Sequence, residues 1–243
     1  STIVRDIRFG ELSSGVTGLR VFDNRVYFSA DSGNTGAELW ATNGSFNGTV
    51  LVADIATEGS SSPRNLTVFD GLMYFSASED GSGRELWVTN GSYWGTGLVS
   101  DIRPGTFGSN PRDLTVAGGK LFFTAHINET GRELWSLQAT GVEPELLRDI
   151  RVGTETSGAN RLLSHNGNLY FVADDGANGT EVWRSSGSQD STELAFDINP
   201  TGSSHPSEFT VLGEKIYVLA DDGSRGVEIW FLAENEDIHL SSN

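Results

Sequence analysis

Cysteine is absent from the 243 residues, which excludes disulfides, thiolate nucleophiles and cysteine zinc sites and leaves stability to packing. Basic residues are scarce as well. Lysine and arginine number 16 against 33 aspartates and glutamates, a formal charge of -17, so the chain repels a polyanion and nucleic acid is excluded as a partner. Such acidity keeps a protein soluble and collects cations, which makes calcium a candidate structural ion. No apolar run approaches the roughly 18 residues of a membrane helix, so direct membrane insertion is not expected. Residues 1–7 lack the basic start and apolar stretch of a signal peptide; the chain opens inside a repeat, as a processed chain or an excised domain would. Helical periodicity is missing too, and 30 glycines are poor helix material.

What is present is repetition. Trp40, Trp87, Trp135, Trp183 and Trp230 are spaced by 47, 48, 48 and 47 residues, and Asp-Ile recurs at Asp6, Asp54, Asp101, Asp149 and Asp197 with the same beat. Five units, about 8–55, 56–102, 103–150, 151–198 and 199–243 together with 1–7, account for the chain as one domain. Turn residues divide each unit into four short strands; in the second unit these are Leu66–Phe69, Leu72–Ala77, Glu85–Val88 and a strand ending at Asp101-Ile102. The second strand is apolar on both faces, as are Val26–Ala30, Leu121–Ala125, Leu169–Ala173 and Ile216–Ala220, which a sheet stacked between two neighbours requires. Five four-stranded units of this length predict an all-β, five-bladed β-propeller. The chain begins with a fourth strand, Ile3–Ile7, while its last unit supplies three, Phe209–Leu212, Lys215–Ala220 and Val227–Leu232. The first strand is therefore expected to complete the last blade and close the ring, removing two sheet edges.

A Gly-x-Glu-apolar-Trp motif recurs in every unit, carrying Glu38, Glu85, Glu133, Glu181 and Glu228 two residues before the five tryptophans. Residues two apart in a strand share a face, so each Trp is expected to fill the gap between blades with its Glu beside it. A carboxylate so placed must accept hydrogen bonds, from loop N–H groups or an adjacent Arg. The five Asp-Ile aspartates end the fourth strands, where each can accept from the N–H groups of the following turn.

At these residues the chain resembles the repeat named for its Glu-Leu-Trp-x-x-Asp-Gly-Thr signature. Units one and two carry it as Glu38-Leu39-Trp40-Ala41-Thr42-Asn43-Gly44-Ser45 and Glu85-Leu86-Trp87-Val88-Thr89-Asn90-Gly91-Ser92, with Asn for the Asp. Unit three has Gln138-Ala139-Thr140 there, unit four Ser186-Gly187-Ser188, and unit five no such turn, so five equal sites are not expected. The resemblance implies a propeller in a secreted or cell-surface protein and assigns no activity.

Three functions are open to such a scaffold. Catalysis is disfavoured: glycoside hydrolysis needs two carboxyls in different roles, whereas here the carboxylates repeat. His126, His165, His205 and His239 are scattered, and no metalloprotease, serine-hydrolase or phosphate-loop motif occurs. Calcium is the candidate at turns carrying Asp31, Asp80, Asp175 and Asp222, although Asp-Gly also suits a tight turn by itself. Binding rests on Trp94, with Tyr93 beside it and Phe46 near the equivalent place of the first unit, because exposed rings stack on sugars or fill a partner's pocket. The leading expectation is a lectin-like or adhesion module for a glycan or a protein. Six sequons, at Asn43, Asn47, Asn65, Asn90, Asn128 and Asn178, point to the alternative of a glycosylated structural subunit.

Overall fold

The computed structural model describes residues 1–139 and 143–233; Thr140 of the third unit's turn and His239 lie outside them. Among the described residues there are nineteen strands and no helix, hence none long and apolar enough to cross a membrane. The first sheet holds β1 (Thr17–Phe22), β2 (Arg25–Asp31), β3 (Ala37–Thr42) and β4 (Val50–Ala53), and the second β5 (Arg64–Phe69), β6 (Leu72–Glu79), β7 (Gly83–Thr89) and β8 (Thr96–Ser100). The third holds β9 (Arg112–Ala117), β10 (Lys120–Ile127), β11 (Gly131–Gln138) and β12 (Glu145–Arg148), and the fourth β13 (Asn160–His165), β14 (Asn168–Asp174), β15 (Thr180–Ser185) and β16 (Glu193–Phe196). The fifth has three, β17 (Ser207–Leu212), β18 (Lys215–Asp221) and β19 (Val227–Leu232). Each is an antiparallel meander lying inside one repeat unit.

Two-residue turns set the register. Asp70 and Gly71 both have positive φ, 49° and 72°, the mirror-image turn whose twist matches paired strands, and Phe69 therefore faces Leu72. The first strands β1, β5, β9, β13 and β17 lie next to one another in chain order, so the sheets stack face to face. The doubly apolar second strands sit where this stacking demands. Leu39, Leu66, Phe75 and Trp87 join the first sheet to the second, Leu86, Phe123 and Trp135 the second to the third, and Leu134, Phe171 and Trp183 the third to the fourth. Trp87, Trp135 and Trp183 thus pack back on the preceding sheet, and Leu39, Leu86, Leu134 and Val182, each just before a motif Trp, pack forward.

The two ends depart from the expectation. Residues 3–7 form no strand and pair with no edge among the described residues; they lie on the first sheet, where Ile7 packs with Phe28 and Trp40 and Arg5 donates to the Thr49 carbonyl at 2.5 Å. Among the described residues the fifth sheet ends at β19 without a fourth strand. Leu19, equivalent to the buried Leu66, is 71% exposed, and Ile229, equivalent to the fully buried Leu86, is 68% exposed.

Candidate functional site

Four of the five motif glutamates have no solvent exposure, and each clasps the loop that leads to the next sheet. Glu38 accepts from the N–H of Ile55 at 2.9 Å, the N–H of Ser61 at 2.7 Å and the Ser61 hydroxyl. Glu181 repeats this with Ile198, Ser204 and the Ser204 hydroxyl. Glu85 uses the N–H groups of Arg103 and Ser109 and the Ser109 hydroxyl, and Glu133 those of Ile150 and Ser157. The carbonyl of the same serine accepts from the second strand of its own sheet: Ser61 from Ser78, Ser109 from His126, Ser157 from Asp174 and Ser204 from Asp221. Each serine thus staples its sheet to the one before.

The glutamates' donors are backbone amides and serines, whereas the adjacent Arg84 and Arg132 turn to carbonyls, Arg84 to those of Ser61, Ser62 and Ser76. Burial pushes all four carboxyls up, the hydrogen bonds oppose it, and the neighbouring Asp-Ile aspartate adds to the rise; Glu133 is pushed up to about 7. Of those aspartates, Asp149 accepts from a following amide, Gly153 at 3.0 Å, while Asp6, Asp101 and Asp197 are exposed. The motif glycine is part of the same joint. A Cβ on Gly83, whose φ is +71°, would lie 2.5 Å from the Gly108 nitrogen of the next loop.

The fifth copy of the joint is present in two unjoined halves. Glu228 is exposed and a Cβ on Gly226 would meet nothing within 4 Å, while Ser14, which bonds Asp31 through its carbonyl as the other staple serines do, is clasped by no glutamate among the described residues.

The four turn aspartates stand on four different sheets and are already engaged. Asp31 pairs with Arg8, and Asp80 accepts from the Thr57 hydroxyl and the Glu58 amide, both at 3.0 Å. Asp175 caps its own turn through the amides of Ala177 and Asn178 and the Asn178 side chain; burial pushes its carboxyl up, and these bonds outweigh it and leave the group below its ordinary value. Asp222 does the same with Ser224 and Arg225. Among the described residues no three His, Asp or Glu side chains gather as metal ligands.

The signature turns are rigid hydrogen-bonded cages. In the second sheet Thr89 and Thr96 bond through their hydroxyls at 2.7 Å, Thr89 accepts from the Gly91 amide, Asn90 accepts from Ser92, and Ser92 accepts from Gly95. The first sheet repeats the cage with Thr42, Asn43, Ser45 and Thr49, and the fourth sheet rebuilds it with Ser185, Ser188 and Thr192. On the second cage Trp94 is 94% exposed, with Tyr93 edge-on to it at 5.1 Å between ring centres. Phe46, on the first, is 62% exposed and has the Arg5 guanidinium 5.1 Å from its ring. Tyr93 and Trp94 are brought together; Phe46 stands apart on its own turn. All six sequon asparagines are exposed, with Asn43 and Asn90 folded into their cages, Asn128 accepting from Arg103, and Asn178 donating to Asp175.

One set of residues escaped the sequence reading. Near the start of each first strand the ladder slips at a bulge, and one residue takes a left-handed backbone: Gly18, Asn65 (φ 59°), Asp113 (59°), Arg161 (55°) and Glu208 (54°). They recur at the repeat spacing but share no residue type, so only the spacing could have found them.

No family model matches the chain, and no curated protein does. Among solved structures it is similar to a protein titled as a TolB from Agrobacterium tumefaciens, at 11% sequence identity over 90% of this chain and 80% of that one, with a TM-score of 0.49.

Proposed function

We propose that the chain is a non-catalytic extracellular binding module that recognises a glycan through the Tyr93–Trp94 turn. The observation that carries this reading is a tryptophan 94% exposed on a turn held by at least four hydrogen bonds. A large apolar ring left in water costs solubility, and one held rigidly loses little entropy on stacking against a sugar. The lack of a catalytic role is supported by Glu38, Glu85, Glu133 and Glu181, whose carboxyls are sealed into joints between sheets.

The five sheets, in this reading, close into a five-bladed ring, the fifth sheet docking on residues 3–14 so that Glu228 clasps Ile7 and Ser14 as Glu181 clasps Ile198 and Ser204. Support comes from the repeat itself: Glu228 is exposed and Ser14 half-buried, whereas the equivalent glutamates and serines of the other four joints are buried. Closure would also cover Leu19, Val227 and Ile229, at roughly 1.5–3 kcal/mol for each side chain fully buried.

The test is a glycan array read with and without calcium, using wild type and Trp94→Ala. Binding of particular sugars that Trp94→Ala abolishes is expected; a blank array for the wild type would defeat the reading. Exposure of all six sequon asparagines favours a second reading, a glycosylated structural subunit, which added glycan mass in the native-source protein together with a blank array would support.

A further inference from the structure

The cations of this acidic chain are not evenly spread. Arg64, Arg84, Arg112, Arg132 and Arg161 are five of its 16 basic residues, and all belong to the second, third and fourth sheets at the end where the first strands begin. Arg84 and Arg132 are half-buried and satisfied by carbonyls. Each is held down to about 10, first by burial and then by a like charge, Arg64 beside Arg84 and Arg112 beside Arg132, with Asp113 opposing the shift at Arg132. Arg64, Arg112 and Arg161 make no ion pair among the described residues.

Between these first strands lies an open cleft of about 310 Å³, walled by Asn65, Thr67, Asp113, Thr115 and Arg161. Its amide, carboxylate and guanidinium come from the bulge positions, where the left-handed backbone re-aims a side chain away from its regular place in the ladder. A non-glycine residue there is strained, and such strain collects where a ligand is gripped. Unlike the motif glutamates, these groups differ from sheet to sheet, so the cleft presents an asymmetric set of donors and acceptors. The Thr67 and Thr115 hydroxyls donate to the backbone, Thr115 to the Asp113 carbonyl at 2.9 Å, and keep lone pairs to accept with.

We propose that this cleft binds an acidic sugar, a hexuronate or the end of a hexuronate oligomer. Arg161 takes the carboxylate through its fork, with Arg112 and Arg64 supplying field, and Asp113 and Asn65 take ring hydroxyls. The volume suits one to two sugar rings, near the lower bound for small-molecule sites. The site stands at the opposite end of the strands from the Tyr93–Trp94 turn, because β7 runs parallel to β5 and the signature turn follows its far end.

The experiment is calorimetric titration of the protein, made in a host that does not glycosylate so that Asn65 stays bare, with digalacturonate, neutral galactobiose and inorganic phosphate. Saturable digalacturonate binding that weakens as salt is raised is expected. Arg161→Asn, which removes the charge while keeping a residue that tolerates the left-handed backbone, is expected to weaken it at least tenfold, and Asp113→Asn several-fold. Thermal melts of both variants check that they are folded. The cleft is overturned if digalacturonate shows no saturable binding, if galactobiose or phosphate binds equally well, or if folded Arg161→Asn binds like wild type. Loss of binding in Trp94→Ala with retention in Arg161→Asn would also overturn it, while leaving the turn site standing.

Discussion

Replacing Glu181 with alanine removes one side chain that holds three donors from the next loop. The Ile198 amide, 3.0 Å from the carboxyl, is fixed by the backbone and cannot turn elsewhere, whereas the Ser204 amide, at 2.7 Å, also reaches the Thr180 carbonyl at 3.2 Å. Each buried unsatisfied donor costs about 1–3 kcal/mol, so the Ile198 amide accounts for about 1–3 kcal/mol and the partly satisfied Ser204 amide for less. The Ser204 hydroxyl already reaches the Thr180 carbonyl at 3.5 Å and can rotate to it, which recovers part of its share. Release of a carboxyl whose ionisation is opposed by burial offsets some of the rest. The balance is a loss of about 2–4 kcal/mol, or about 4–16 °C in melting temperature for a chain this size. Urea denaturation is the assay, the midpoint shift being read at constant slope. Glu181→Gln, keeping one acceptor oxygen, is expected to fall between wild type and alanine. A loss below about 1 kcal/mol for Glu181→Ala would refute the clasp as a stabilising device. The same substitution at Glu228 reports on ring closure: a loss comparable with Glu181→Ala is expected, and an effect within about 0.5 kcal/mol, as for an exposed surface residue, would rule closure out.

Two further outcomes follow from the same joints. The four clasped glutamates have folded-state pKa values above their unfolded ones, so their stabilising effect is complete below the ordinary glutamate value near 4.5 and is lost as pH rises. Urea midpoints should therefore fall between pH 5 and pH 7.5, with Glu133, pushed up to about 7, contributing on the order of 3 kcal/mol, and Glu133→Gln should flatten that slope. Gly83→Ala combines a left-handed backbone with a Cβ 2.5 Å from the Gly108 nitrogen, so it should cost about 2 kcal/mol or more in a thermal melt; an unchanged melt would mean that the loop has moved aside.

Much of the fold was legible because its signals are local. The strands of the last unit were placed to within a residue at nearly every end, since Gly213-Glu214 and Asp221-Asp222-Gly223 mark the turns and the doubly apolar Ile216–Ala220 marks stacking. The burial of Glu38 and its equivalents followed from sharing a face with tryptophan. Loop N–H groups were among the expected partners, but which loop supplies them was not legible, because a serine 23 residues later, such as Ser61 for Glu38, lies in a segment of no regular structure. Arg84 looked like a natural partner for Glu85, yet neighbours in a strand point to opposite faces. Residues 3–7 carry a strand's composition, but a strand exists only by pairing, and nothing in the segment fixes which edge it meets. The bulge residues were invisible as a set since Asn65, Asp113, Arg161 and Glu208 share a backbone and no chemistry.

The serine staple decides where this chain can be cut. Every unit boundary falls between a glutamate and the serine it holds, so no unit carries both halves of its own clasp. A piece excised at such a boundary always ends on one unclasped sheet, whatever its length, and the relative weight of that defect shrinks only as units are added. Folding is thus coupled from neighbour to neighbour, with short fragments disfavoured and loss of one joint felt on both sides of it.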